Sequence, residues 1–215
     1  MFIQVLFENT CRVRNAGSWK KGKSSMAKFK KNGLLNELKT HGSILACFVG
    51  IMWLVECIDF FLGGDLRQYG IVPRTQLGLR GILFAPFLHA NFAHLIANTL
   101  PLISLGWLVM LRRTRDFYWV TAIAMLVAGL GTWLIGASNS LHIGASGVVF
   151  AYLGFLVSRG YFERSLFSIV GSAVIAFVYG GLLWGVLPGQ AGISWEGHLF
   201  GFIGGMLAAR FLLKK

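Results

Sequence analysis

The sequence predicts an all-α membrane protein, and three observations carry that expectation. Hydrophobic residues make up 55% of the 215-residue chain and charged residues only 13%, with a mean hydropathy of +0.66. Soluble domains average about 25% charged residues. The apolar residues are gathered into six runs, most of them near the roughly 20 helical residues that cross a hydrocarbon core. Glycine is abundant, at 28 residues, as suits helices that approach closely in lipid. The runs follow one another through short connections, so a single membrane domain is expected over residues 41–215, preceded by a basic segment over residues 1–40.

Nine basic residues precede the first run: Arg12, Arg14, Lys20, Lys21, Lys23, Lys28, Lys30, Lys31 and Lys39. Before a first membrane helix such an excess sets orientation and attracts anionic lipid, so no nucleic-acid partner is expected despite the net charge of +12. Leu34, Leu35 and Leu38 make one amphipathic turn suited to the membrane surface. Met26 opens a second plausible start, Met-Ala-Lys-Phe-Lys-Lys, which would leave residues 1–25 outside the native protein. The first run is too long for a signal-peptide core and has no small-residue cleavage site, so retention is expected. Cys11, Cys47 and Cys57 give neither a disulfide framework nor a metal site, and the two in the first run suit apolar packing.

The first span is expected from Ser43 to Leu62, with Glu56 and Asp59 an i, i+3 acidic pair near its far end and structural in role. Gly63 to Ile82 is longer than an ordinary loop of about 4 to 6 residues and should be structured. The second span runs from Phe84 to Leu111, the third from Phe117 to Ile135, and the fourth from Ala145 through Val157 toward Phe162. The fifth runs from Leu166 to Leu187, stopped by Pro188-Gly189, and the sixth from Gly197 to Leu213. With the N-terminus inside, Arg112, Arg113, Arg115, Arg159, Arg164, Arg210, Lys214 and Lys215 also fall inside, and only Arg67, Arg74 and Arg80 fall outside. The positive-inside rule favours that orientation. No internal repeat supports an inverted-repeat transporter.

In this topology Ser146, His198, His89 and His94 share the outer ends of three different spans, with Asn98 one turn deeper. Ionisable groups inside a membrane need a reason. Serine hydrolysis needs a nucleophile, a base to take its proton, and donors aimed at the developing oxyanion. Ser146 lies at a helix N-terminus between Gly144 and Gly147, where free amides favour an anion and a substrate can approach. His198 shares one helix face with Gly201 and Gly205, which permits close approach to the serine's helix. His94 and Asn98, at i and i+4, supply further oxyanion donors, and Phe150 is one turn from Ser146 and suited to stack on His198.

Each residue taken alone has a plainer reading. Ser146 and the glycines pack helices, His94 and Asn98 hydrogen-bond between helices, and Phe150 fills core or faces lipid. His142 is a rival base, ranked below His198 because no glycine face directs it across a helix interface. A zinc site built from His89, His94 or His198 with Glu196 is disfavoured: no HExxH is present, and residues five apart lie about 140° apart around a helix.

Together these residues resemble the rhomboid family of intramembrane serine proteases over about residues 41–213. The pattern is HxxxxHxxxN (His89, His94, Asn98), GxSG (Gly144, Ser146, Gly147) and HxxGxxxG (His198, Gly201, Gly205). The resemblance implies a six-helix bundle with a Ser146–His198 dyad and no catalytic acid. It implies an oxyanion hole from His94, Asn98 and the Ser146 N–H, no cofactor, and substrates that are single-span membrane proteins cut in or near the span. With the orientation that the basic residues favour, the expectation is a multi-pass plasma-membrane protein with both termini cytoplasmic and the site toward the outer face. The family's Trp-Arg pair in the first outer loop is Leu79-Arg80 here, and its aromatic one turn after the serine, often Tyr, is Phe150. The competing expectation is a non-catalytic relative that binds transmembrane helices.

Overall fold

A computed structural model describes residues 33–190 and 192–213. The basic stretch before Gly33, the second start at Met26, Cys11 and the closing Lys214-Lys215 lie outside the described residues. The chain divides into two units, residues 1–44 and 45–215.

Among the described residues the fold is all helical. The long helices are α1 (Gly33–Phe61), α3 (Phe92–Met110), α4 (Thr114–Ile135), α5 (Ser146–Glu163), α6 (Leu166–Tyr179) and α7 (Trp195–Leu213), with a single-turn α2 (Gly81–Phe84) between α1 and α3. Four of them, α1, α3, α4 and α6 with its 3-10 continuation to Val186, are long and apolar enough to cross a membrane. Their outward faces are rich in exposed Leu, Phe, Val and Trp. Cys47 and Cys57 are also exposed on α1, so the expected apolar packing does not occur.

The second span does not start at Phe84. Residues 81–87 form α2 and a 3-10 turn, Leu88 turns extended, and α3 begins at Phe92, capped by the Asn91 side chain accepting from the His94 N–H at 2.9 Å. Pro86 accounts for the break, because it has no N–H for a continuing helix. The fifth run changes as well: α6 stops at Tyr179 and Gly180–Val186 continues as a 3-10 helix. Gly180, Gly181 and Gly185 lower helix propensity there, and the tighter winding follows.

The long connection after α1 is tied down at several points. Asp59 is buried and accepts from the Leu66 N–H at 2.8 Å and from Arg67 Nε at 2.9 Å, which makes it a structural anchor. Arg80 lies over the Tyr69 ring at 4.3 Å and donates to the Gln68 carbonyl at 2.9 Å. Arg74 donates to the Leu134 and Gly136 carbonyls and to Ser138 Oγ, joining this connection to the end of α4. Ile71 and His142 exchange both backbone hydrogen bonds at 2.9 Å. Glu56 is buried too, with Oε2 making no hydrogen bond.

Helix α5 is the centre of the unit, buried almost continuously from Val148 to Leu156. Its contact with α7 is backbone on backbone. A Cβ placed on Gly201 would lie 2.2 Å from the Gly147 carbonyl oxygen, one on Gly205 1.9 Å from that of Ala151, and one on Gly154 2.3 Å from that of Phe202. Glycine at all three positions lets the helices meet with no side chain between them. At the far side of α5, the buried Tyr152 hydroxyl meets Thr121 Oγ1 at 2.6 Å and joins it to α4.

Candidate active site

Ser146 opens α5, and the backbone before it is shaped for that place. Gly144 has φ +117°, a conformation that favours glycine, and its N–H donates to the Ala85 carbonyl at 2.8 Å. The Val148 and Val149 N–H groups both turn back to the Ala145 carbonyl. The Ser146 and Gly147 amides precede them at the N-terminus, where the helix offers no internal acceptor. Among the described residues no hydrogen bond reaches Ser146 Oγ. Beside it is a cavity of about 40 Å³ bordered by Gly144, Gly147, Thr132, His142 and Ser194. That is room for a water molecule or two, with polar groups to hold it.

The α5–α7 contact brings His198 to the level of the serine. Gly201, one turn beyond His198, rests on the carbonyl of Gly147, the residue after Ser146. Phe150, one turn along α5, stacks on the His198 ring with centroids 4.1 Å apart and planes 10° from parallel. His198 Nδ1 lies 2.9 Å from the Gly185 carbonyl oxygen. A carbonyl only accepts, so Nδ1 carries the proton and Nε2 keeps the lone pair. A Cβ on Gly185 would come within 2.9 Å of His198 Nδ1 and 3.2 Å of Phe150, so the 3-10 segment closes over the imidazole through a residue without a side chain. Gly185 is the site residue that sequence reasoning missed. The signal was three glycines within six positions of an otherwise apolar run.

His94 and Asn98 face Gly144 from α3. A Cβ on Gly144 would lie 2.8 Å from His94 Nε2 and 3.8 Å from Asn98 Nδ2. The Ala90 N–H donates to His94 Nδ1 at 3.4 Å, so the neutral ring carries its proton on Nε2, facing Gly144. Asn98 Nδ2 donates one hydrogen to the His94 carbonyl at 2.9 Å and has a second to give. The structure therefore gathers Gly144, Ser146, Gly147, Phe150, His94, Asn98, His198 and Gly201 at one end of the bundle. Gly205 lies a turn further along α7.

His142 and His89 have other surroundings. His142 Nδ1 meets Ser194 Oγ at 2.7 Å and Nε2 meets Ser140 Oγ at 2.6 Å, so neither nitrogen is left to serve Ser146. Burial lowers its pKa, with Glu196 pulling the other way. His89 precedes α3, fully buried, its ring edge-to-face with His94 at 5.1 Å between centroids. Neither of its nitrogens makes a hydrogen bond of ordinary geometry. Burial pushes its pKa down to about 3, His94 adds to the shift, and the Phe87 carbonyl opposes it.

His89 makes the stability of the fold depend on pH. The unfolded chain takes up a proton near pH 6.5 and the folded chain only near 3, so stability is complete above pH 6.5 and falls as pH drops through that window. The slope is at most about 1.4 kcal/mol per pH unit. Thermal midpoints of wild type and His89→Leu in detergent should converge or cross between pH 7 and 4, with the wild type losing more. A constant difference across that range would contradict this assignment.

Comparison with known proteins agrees with the architecture. The chain matches the Rhomboid domain family over residues 77–215. It is 48% identical over 179 residues to an uncharacterized protein of Mycobacterium tuberculosis, covering 80% of this chain and 75% of that one. It is 31% identical over 141 residues to RHOMBOID-like protein 4 of Arabidopsis thaliana, covering 61% of this chain and 34% of the relative. YdcA of Bacillus subtilis, provisionally named a rhomboid protease, is 29% identical over 132 residues, with 60% and 64% covered. Apolar helices around a glycine-locked α5–α7 pair and a family match over most of the chain lead to one conclusion: this multi-pass membrane protein belongs to the rhomboid family.

Proposed function

We propose that the protein is an intramembrane serine endopeptidase that cleaves single-span membrane proteins in or beside their transmembrane segment. The observation that carries this reading is the His198 imidazole. It is held by Gly185 and Phe150 with Nε2 unprotonated, at the level of a serine that opens a helix.

In this mechanism Ser146 Oγ attacks the scissile carbonyl carbon while its proton passes to His198 Nε2. The carbonyl oxygen becomes an oxyanion beside Gly144, where His94 Nε2–H, Asn98 Nδ2–H and the Ser146 N–H converge. Collapse breaks the C–N bond, and His198 returns the proton to the departing amine. Water from the cavity beside Ser146 then attacks the acyl ester with His198 again as base, releasing the acid and restoring Ser146. The absent Ser146–His198 hydrogen bond is compatible with this, since catalytic contacts are often long before substrate arrives. The chemistry calls for no cofactor.

The same reading has α5 and α7 crossing the membrane inside the ring of the four more apolar helices, six spans in all. Helices shielded from lipid need less hydropathy of their own, and 18 or 19 residues is near the minimum for a span. The charge distribution supports both ends inside and the serine toward the outer face of a plasma membrane.

Purified protein in detergent should cleave members of a panel of single-span substrates, with no loss of rate on adding a metal chelator. Retention of the substrates without any cleavage would favour the non-catalytic helix-binding reading, and loss to the chelator would favour zinc. Replacing His94 by Ala should lower kcat by about 10²- to 10³-fold with KM little changed, the usual cost of one oxyanion donor. Unchanged turnover would remove His94 from the oxyanion site.

A further inference from the structure

The opposite end of α5 is about 26 Å from Ser146, and a second feature of the protein is built there. A cleft of about 820 Å³ opens among the α3–α4 turn, the α5–α6 turn and the end of α7, and Arg112, Glu163, Arg164, Ser165 and Arg210 border it. Its charges are unequal. Glu163 is fully engaged, by Arg112 Nε at 2.9 Å, by Arg159 Nε at 2.7 Å and by the Ser168 hydroxyl. Arg112 also binds Asp116, at 2.8 Å. Among the described residues the side chains of Arg164 and Arg210 make no ion pair and no hydrogen bond, which leaves two exposed guanidinium groups on one cleft.

Arg164 is also placed where another residue would be easier. It ends α5 with φ 52° and ψ 25°, a left-handed conformation that favours glycine. Directly beyond the cleft, α6 begins with Leu166 and Phe167, 78% and 83% exposed. A charged cleft thus adjoins a bare apolar helix face at one end of a membrane bundle.

We propose that this cleft binds the phosphodiester headgroup of an anionic phospholipid, with the acyl chains lying against the start of α6. Guanidinium groups match phosphate oxygens in geometry as well as charge, and basic pockets between membrane helices suit such headgroups. The cleft is in the size range of small-molecule sites, roughly 300 to 1,000 Å³, and accommodates a glycerophosphate rather than an ion alone. The adjoining apolar face gives the lipid an advantage over free phosphate. The site is independent of the serine chemistry at the other end of α5.

The test uses purified full-length protein in a neutral detergent, with phosphatidylglycerol or phosphatidylcholine added and retained lipid counted by native mass spectrometry. Wild type should retain phosphatidylglycerol preferentially. Arg164→Gly and Arg210→Gln should each weaken that retention about fivefold, the factor equivalent to ~1 kcal/mol per basic residue. Arg164→Gly relieves the left-handed backbone, so a loss there cannot be assigned to misfolding. Equal retention of the two lipids, or phosphatidylglycerol retention untouched by both variants, would overturn the proposal. Stabilisation of the lipid-free protein by millimolar inorganic phosphate, abolished by the same variants, would reassign the cleft to a free anion and overturn the lipid.

Discussion

Replacing Ser146 by Ala should lower substrate cleavage by at least about 10⁴-fold, and His198→Ala should do the same, because nucleophile and base act as a unit. The double variant should be no slower than either single one. Stability should not follow activity for the serine. Ser146 Oγ makes no hydrogen bond among the described residues, so its loss should change unfolding free energy by less than about 0.5 kcal/mol. His198→Ala removes a ring that stacks on Phe150 at 4.1 Å and bonds to Gly185, and should cost more stability. Rate assays beside thermal unfolding separate the two effects. Cleavage that survives Ser146→Ala would end the serine mechanism, however well the rest of the fold agreed with it.

The second large effect concerns stability and arises at Gly205. A Cβ there would stand 1.9 Å from the Ala151 carbonyl oxygen and 2.7 Å from the Phe155 amide nitrogen. Both are backbone atoms of the central helix, which cannot rotate out of the way as a side chain would. Gly205→Val must therefore part α5 from α7, and a loss on the order of 3 kcal/mol is expected. Parting them also withdraws His198 from the level of Ser146, so the surviving folded fraction should be slow. Gly171 in α6 is the control: nothing lies within 4 Å of a Cβ placed there. Gly171→Ala should be neutral or stabilising by up to about 1 kcal/mol. If Gly205→Val melted and cleaved like Gly171→Ala, the close α5–α7 contact could not be what aligns the site.

The parts of this fold that were legible in the sequence are those that local pattern encodes. Apolar runs gave the long helices, and the spacing of Gly201 and Gly205 from His198 pointed to a close helix pair because glycine on one face has few other uses in lipid. Asp59 and the structured connection after α1 were legible for a similar reason, a carboxylate at a helix end next to an overlong loop. The helices α5 and α7 were legible as well, to within two residues, although they hold Glu, His, Arg and several glycines that lower their hydropathy.

What stayed hidden depends on contacts between segments. The bond from His198 to Gly185 joins residues of different elements: the three glycines of residues 180–186 mark a weakened helix, but not that it closes on an imidazole of α7. The break before α3 was marked by Pro86, yet the apolar residues around it outweighed it in a hydropathy reading. His142 could be ranked below His198 from sequence, but its two serine partners, Ser140 and Ser194, emerge only when the loop between α4 and α5 meets the start of α7.

The mechanism rests on Ser146 as a nucleophile activated by His198. The most direct measurement is reaction of the detergent-purified protein with a fluorophosphonate, followed by mass spectrometry of the modified peptide. The mechanism predicts a single phosphonyl adduct on Ser146 Oγ, slowed strongly by His198→Ala. An adduct on any other residue, or active enzyme that leaves Ser146 unmodified, would contradict it.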